Sequence, residues 1–224
     1  MVKVQWLGHA SFRIDFAGKT VLIDPFITGN PLSPVKSIDE LEKVDVIVVT
    51  HDHPDHFGDS VEIAKKFNSK IVAVFETANK AREAGAPECI GMNIGGTARI
   101  DNLLITLTPA FHSMSSNPSG VIVSDGETNI YHTGDTSLFS DMKLIGKLYK
   151  PTIALLPIGG FYTMGPREAA IATSLIKPKI VIPMHYNTWD LIRQEPEQFK
   201  RELRRVKVGR IKVVILKPGE VFEI

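Results

Sequence analysis

Seven histidines punctuate the chain, at positions 9, 51, 53, 56, 112, 132 and 185. Three of them crowd one hexapeptide, His51-Asp52-His53-Pro54-Asp55-His56, directly after an apolar run over 44–50. On extended backbone, side chains at i and i+2 point to the same side, so His51 and His53 can bind one metal together. Pro54 then forces a turn, and Asp55 and His56 can face a neighbouring site. Neutral imidazole and carboxylate suit zinc, manganese or iron. A lone His-x-His would read as a polar surface turn. Three His and two Asp within six residues, behind a buried strand, would not. Phe111-His112, His132-Thr133-Gly134-Asp135 and Pro183-Met184-His185 each follow an apolar run as well. In α/β sheets, strand carboxyl ends are where ligands gather.

These side chains need a frame. Apolar runs bounded by turn residues predict strands over 2–7, 11–16, 20–23, 44–50, 70–75, 99–105, 106–110, 120–123, 129–132, 152–156, 179–183, 212–216 and 221–224. Ala17-Gly18-Lys19 reads as a tight turn, and 27–35 as loop. Ser37 and Glu40 stand at capping-box spacing. Val61, Ala64 and Phe67 recur at helical spacing, as do Leu138, Met142, Ile145 and Leu148. A helix over 77–84 ends at Gly85. Pro166 and Pro196 each suit the first turn of a further helix. Strands alternating with isolated helices, with no linker, predict one α/β domain over 1–224 with mixed sheets covered by helices. The two halves are loosely alike: each has an apolar strand leading to an aspartate, Asp24 or Asp135.

Composition excludes several function classes. The chain has 224 residues, 43% hydrophobic and 23% charged, with a net charge of +1. Such a balance asks for no nucleic acid or acidic membrane partner. Cys89 is the single cysteine, which rules out a disulfide framework and a cysteine-built structural zinc site. No signal-peptide pattern or membrane-length apolar run is present, so a cytoplasmic protein is expected.

The series His51-x-His53-x-Asp55-His56, His112, Asp135, His185 resembles the metallo-β-lactamase superfamily of binuclear metal hydrolases. Trp6-Leu7-Gly8-His9-Ala10-Ser11, Asp24-Pro25-Phe26, Tyr131-His132-Thr133-Gly134-Asp135-Thr136 and the 159–166 segment are similar to one branch. That branch comprises metal-dependent hydrolases related to ascorbate-6-phosphate lactonase. The resemblance implies a four-layer αββα sandwich with two divalent ions (Zn, Mn, Ni or Fe) at one edge. His51, His53 and His112 would hold the first ion, Asp55, His56 and His185 the second, and Asp135 would bridge them. Two ions, two carboxylates and a bridging hydroxide leave about +1 on the cluster, which attracts an anion and stabilises negative charge on a reacting oxygen. Water bound there has its pKa lowered toward ~7.

Several residues are expected to act around that cluster. Asp24 would orient a ligand histidine, and His9 would sit near Asp24. His132 would be a proton donor to the leaving group. The 113–119 segment is a candidate lid. The 159–166 segment, with Gly160 and Thr163, opens a helix whose N–H groups could hold an anion. Seven basic residues over 200–212 read as a solvated face more readily than as a phosphate-binding patch. The expected activity is hydrolysis of a small, anionic ester, lactone or phosphoester. Alternatives are a nuclease using the same cluster, a non-catalytic metal-binding protein, and a diiron oxidoreductase. A homo-oligomer is expected by analogy with the lactonase.

Overall fold

Along the N-terminal strands, every second residue faces the same core. Val21 and Ile23 on β3 (Lys19–Ile23), Val46 and Val48 on β4 (Val46–Val48), and Val72 and Val74 on β5 (Lys70–Val74) pack into one apolar cluster. The intervening Leu22, Ile47, Ile71 and Ala73 pack into another. Alternation follows from the pleat, so this sheet is buried on both faces. The structure is a computed structural model and describes every residue except Ala17, Met114, Ser115 and Lys207. Ala17 belongs to the expected tight turn, which therefore lies partly outside the described residues.

The first sheet adds β1 (Lys3–Trp6), β2 (Phe12–Phe16), β6 (Glu88–Met92) and β14 (Val221–Glu223), in the order β14-β1-β2-β3-β4-β5-β6. The second comprises β7 (Thr97–Ile100), β8 (Leu103–Pro109), β9 (Ser119–Ser124), β10 (Asn129–His132), β11 (Ile153–Pro157), β12 (Ile180–Met184) and β13 (Lys212–Val213), in the order β13-β12-β11-β10-β9-β8-β7. Pairing is antiparallel from β14 to β3 and parallel from β3 to β6. It is likewise antiparallel from β7 to β10 and parallel from β10 to β13. β3 and β10 thus occupy the same place in their sheets, at the switch of pairing direction. Asp24 and Asp135 lie just beyond them.

The sheets share one core between them. Helices α2 (Ser60–Phe67) and α3 (Phe75–Glu83) cover the outer face of the first through Val61, Ile63, Ala78 and Ala81. Helices α4 (Met142–Tyr149), α5 (Pro166–Ile176) and α6 (Pro196–Arg205) contribute Met142, Ile145, Ala169, Phe199 and Leu203 to the packing against the second. The helix–sheet–sheet–helix sandwich is the one expected. Among the described residues no helix is long and apolar enough to cross a membrane.

Local departures have physical causes. β6 is absent from the sequence reading because an edge strand with an exposed side shows no apolar run. The expected strand over 99–105 is broken by a turn at Asp101, whose φ is 53°; Asp tolerates that left-handed conformation. Phe75 opens α3 rather than ending β5. Pro54 starts a short helix, α1 (Pro54–Phe57), instead of a bare turn. Ser37 does cap a short helix, a 3₁₀ turn over Ile38–Glu40, although its hydroxyl accepts the Asp39 N–H rather than that of Glu40.

Candidate metal centre

The segment after β4 is held from below by one carboxylate. Asp24 accepts hydrogen bonds from the Thr50 N–H at 2.8 Å and from the Thr50 hydroxyl at 2.6 Å. Its Oδ2 also lies 2.7 Å from Nδ1 of His56. Because a carboxylate only accepts, the Thr50 hydroxyl is the donor to Asp24, and it accepts in turn from Nδ1 of His51 at 3.0 Å. One buried aspartate therefore fixes two imidazoles and leaves each Nε2 free to face outward. Asp24 was expected to orient one ligand histidine; it reaches two.

The outward atoms converge in two sets. His51 Nε2 lies 2.9 Å from His53 Nδ1, which lies 3.3 Å from His112 Nε2. Nitrogens on a tetrahedral zinc with bonds of about 2.0–2.1 Å stand about 3.3 Å apart. His9, Asp55, His56 and His185 form a second set, with ligand atoms within 4.8 Å of one another. Asp135 Oδ2 lies 3.0 Å from His185 Nε2, 3.4 Å from His56 Nε2 and 3.8 Å from His112 Nε2. It reaches both sets. His56 Nε2 and Asp135 Oδ1 are buried without a hydrogen-bond partner, an arrangement that costs free energy unless a further partner is supplied. The donor chemistry and the orphaned atoms fit divalent cations.

Charge balance within the protein is tight. Burial opposes a charge on His56, but Asp135 and Asp24 outweigh it and raise its pKa well above the usual value. Burial likewise opposes ionisation of Asp135, yet His185 and His56 hold its carboxyl well below the usual range. Desolvation pushes His51 down, with His56 adding to the effect. His51 is thus a neutral donor, the form that binds metal.

His9 lies under Asp55, not Asp24. Its Nε2 donates to Asp55 Oδ2 at 2.9 Å, and Nδ1 accepts from the Thr188 hydroxyl at 2.8 Å. Burial and the nearby His185 lower its pKa to about 4, so at neutral pH it is an uncharged brace.

His132 is a correction. Nε2 donates to the Ala10 carbonyl at 2.9 Å, and Nδ1 accepts the Gly134 N–H at 3.1 Å. The ring is fully buried, and both nitrogens are engaged with backbone, so no proton is on offer to a leaving group. His132→Ala should leave metal content unchanged and lower unfolding stability by about 1–3 kcal/mol, the cost of a buried carbonyl left unpaired. Chemical denaturation with parallel metal analysis checks this. Gly134 shows the same tightness: a Cβ there would run into the Ser119 carbonyl.

Gly160 and Thr163 are corrections too. The Gly160 N–H is spent on the Met164 carbonyl at 3.1 Å, and the Thr163 hydroxyl turns to that same carbonyl at 3.4 Å. The loop instead presents Tyr162 to a pocket of about 370 Å³, lined by His53, Asp55, His112, Asp135, Tyr162, His185 and Trp189. Tyr162, Trp189, Thr50 and Thr188 escaped the sequence reading. Adjacency to ligand motifs was the available signal for Thr50, Thr188 and Trp189. In the candidate lid, Met114 and Ser115 lie outside the described residues. Ser116 donates to Asp52 at 3.0 Å and the Ser119 hydroxyl to the Thr50 carbonyl at 3.0 Å, so the second half of that segment is tied to the hexapeptide and to the residue before it.

The family model described as beta-lactamase superfamily domain matches residues 3–185. The chain belongs to that superfamily. It is 52% identical over 224 residues to a UPF0173 metal-dependent hydrolase of Caldivirga maquilingensis, covering 99% of this chain and 97% of the relative. It is 52% identical over 233 residues to a UPF0173 metal-dependent hydrolase of Thermococcus kodakarensis, covering all of both chains. Among solved structures, Igni18, a metallo hydrolase from the archaeon Ignicoccus hospitalis, superposes with a TM-score of 0.92 at 42% identity, covering 100% of this chain and 99% of that one. An isothiocyanate hydrolase from Delia radicum gut bacteria shares the fold, with a TM-score of 0.82 at 20% identity and coverage of 99% and 98%. With full-length relatives at about half identity that are metal-dependent hydrolases, the chain is a metal-dependent hydrolase.

Proposed function

We propose that this hydrolase cleaves a small ester, lactone or phosphoester with two divalent ions held in one domain spanning 1–224. The observation that carries the reading is the reach of Asp135 Oδ2 to ligand atoms of both convergent sets. His51, His53 and His112 would hold one ion, and Asp55, His56 and His185 the other, with Asp135 between them. Bound ions would supply a water activated at neutral pH and a positive centre for the reacting carbonyl or phosphoryl oxygen. The chain's own residues do the rest. Asp24 and Thr50 fix His51 and His56, while His9 fixes Asp55. An all-imidazole and carboxylate set suits zinc, manganese, nickel or iron.

The test is metal analysis of protein purified without added metal, followed by a panel of esters, lactones and phosphodiesters. Two ions per chain and turnover of at least one class are expected. At most one ion in metal-replete buffer overturns the binuclear assignment.

The nuclease alternative loses support. Lys200 and Arg205 pair with Glu197 and Glu202 along α6, and among the described residues no basic side chain of that segment lines the pocket. Lys207 lies outside the described residues. Replacing Arg201, Arg204 and Arg205 with glutamine should leave the rate and its salt dependence unchanged; a flattened salt dependence would revive nucleic acid as substrate.

A further inference from the structure

The metal ligands account for five of the seven residues lining the pocket. Tyr162 and Trp189 are the remaining two, and among the described residues no lysine or arginine joins them. They are 49% and 40% exposed. Four of the five exposed aromatic residues, Phe111, Phe161, Tyr162 and Trp189, lie on loops that carry or adjoin this site. Exposed apolar surface concentrated at one mouth marks a binding surface.

Trp189 is supported from behind, and Tyr162 leans on a neighbouring ring. Trp189 meets His9 edge-on at 4.8 Å and Phe26 at 6.3 Å. Tyr162 meets Phe161 at 4.8 Å. The loop carrying Tyr162 is pinned by the Met164 N–H on the Thr136 carbonyl at 3.0 Å, and the Thr136 hydroxyl accepts the Phe111 N–H at 3.0 Å. Held rings lose little freedom on binding.

Resting on the hydrolase reading above, we infer that Trp189 and Tyr162 form a clamp for an uncharged, apolar group of the substrate. The clamp takes the part that is not attacked, while the ions take the reacting oxygen. A substrate with a second phosphate or carboxylate would set that charge beside rings that no described lysine or arginine accompanies, so the clamp favours an apolar group there. The pocket's size is at the small end of ligand sites, which suits one aryl ring or a short alkyl chain. In ester cleavage, water would add its hydroxyl to the acyl carbon as the acyl C–O bond breaks. Its proton would pass to the departing oxygen.

The test uses metal-loaded protein. kcat/KM is measured by titration of released acid for methyl acetate, methyl butyrate and monomethyl succinate, whose free carboxylate follows a chain like that of butyrate. Butyrate should exceed acetate and succinate by roughly tenfold or more, given what apolar pockets gain per methylene. Trp189→Ala and Tyr162→Ala should each bring the butyrate-to-acetate ratio toward one with full metal content. Binding is read separately by quenching of tryptophan fluorescence with 4-nitrobenzyl alcohol. The only other tryptophan, Trp6, is buried, so Trp189→Phe should abolish saturable quenching. Equal rates for butyrate and succinate, or ratios unmoved by both substitutions, overturn the clamp and leave hydrolysis standing. Absence of saturable quenching in the unsubstituted protein also overturns it. Saturable quenching without ester turnover supports the clamp and counts against the ester reading.

Discussion

Replacing Asp135 with alanine will cost the protein most of its metal at the set formed by Asp55, His56 and His185, and nearly all of its activity. The carboxylate stands 3.0 Å from His185 and 3.4 Å from His56, and it is 2% exposed. Two ions bring +4, and removing Asp135 leaves one carboxylate of the proposed ligands to offset it. The loss of metal affinity should exceed the roughly 10–100-fold that attends loss of an outer partner. The set of His51, His53 and His112 keeps its three nitrogens and should retain its ion better. Titration of metal-depleted protein, with ions counted per chain, separates the two sets. Two ions bound at unchanged affinity would show that Asp135 is no bridge.

The second large effect belongs to a residue that would touch no ion. Asp24→Asn keeps the shape but leaves one oxygen where two accepted, so its NH2 must face either the Thr50 N–H or Nδ1 of His56 and the Thr50 hydroxyl. His51 is affected as well, through Thr50. Both ions should weaken, each by about 10–100-fold. Thr50→Val cuts only the arm to His51 and should weaken the His51, His53 and His112 set alone. If Asp24→Asn and Thr50→Val give the same pattern, the single-brace arrangement is wrong. Circular dichroism of both variants distinguishes loss of metal from loss of fold.

The cluster of proposed metal ligands was legible because its chemistry is local and rare: a dense hexapeptide, then histidines or aspartate just after apolar runs. The sandwich was legible from buried strands, where apolar content is dense and turn residues mark the ends. β6 was not, because half its surface faces water. Roles around the ligands were read less well, since they depend on contacts distant in sequence. His132 meets Ala10 across 122 positions and His9 meets Thr188 across 179; no spacing rule reaches that far. Tyr162 lies in the 159–166 segment but has no role of its own in the sequence reading, Trp189 lies in no motif, and only their placement on two loops at one mouth gives them meaning.

The proposed ligands come from opposite sides of the sandwich. His51, His53, Asp55 and His56 follow the first sheet, whereas His112, Asp135 and His185 follow strands of the second. Ions shared between these groups would rivet the sheets together at their open edge. A ligand that binds only the folded state stabilises it by about 2.7 kcal/mol at one hundred times its dissociation constant. For a chain of this size that shifts melting by roughly 5–10 °C. Heat resistance and metal supply then become one property: a starved protein loses its reactive centre and the fastening between its two halves together.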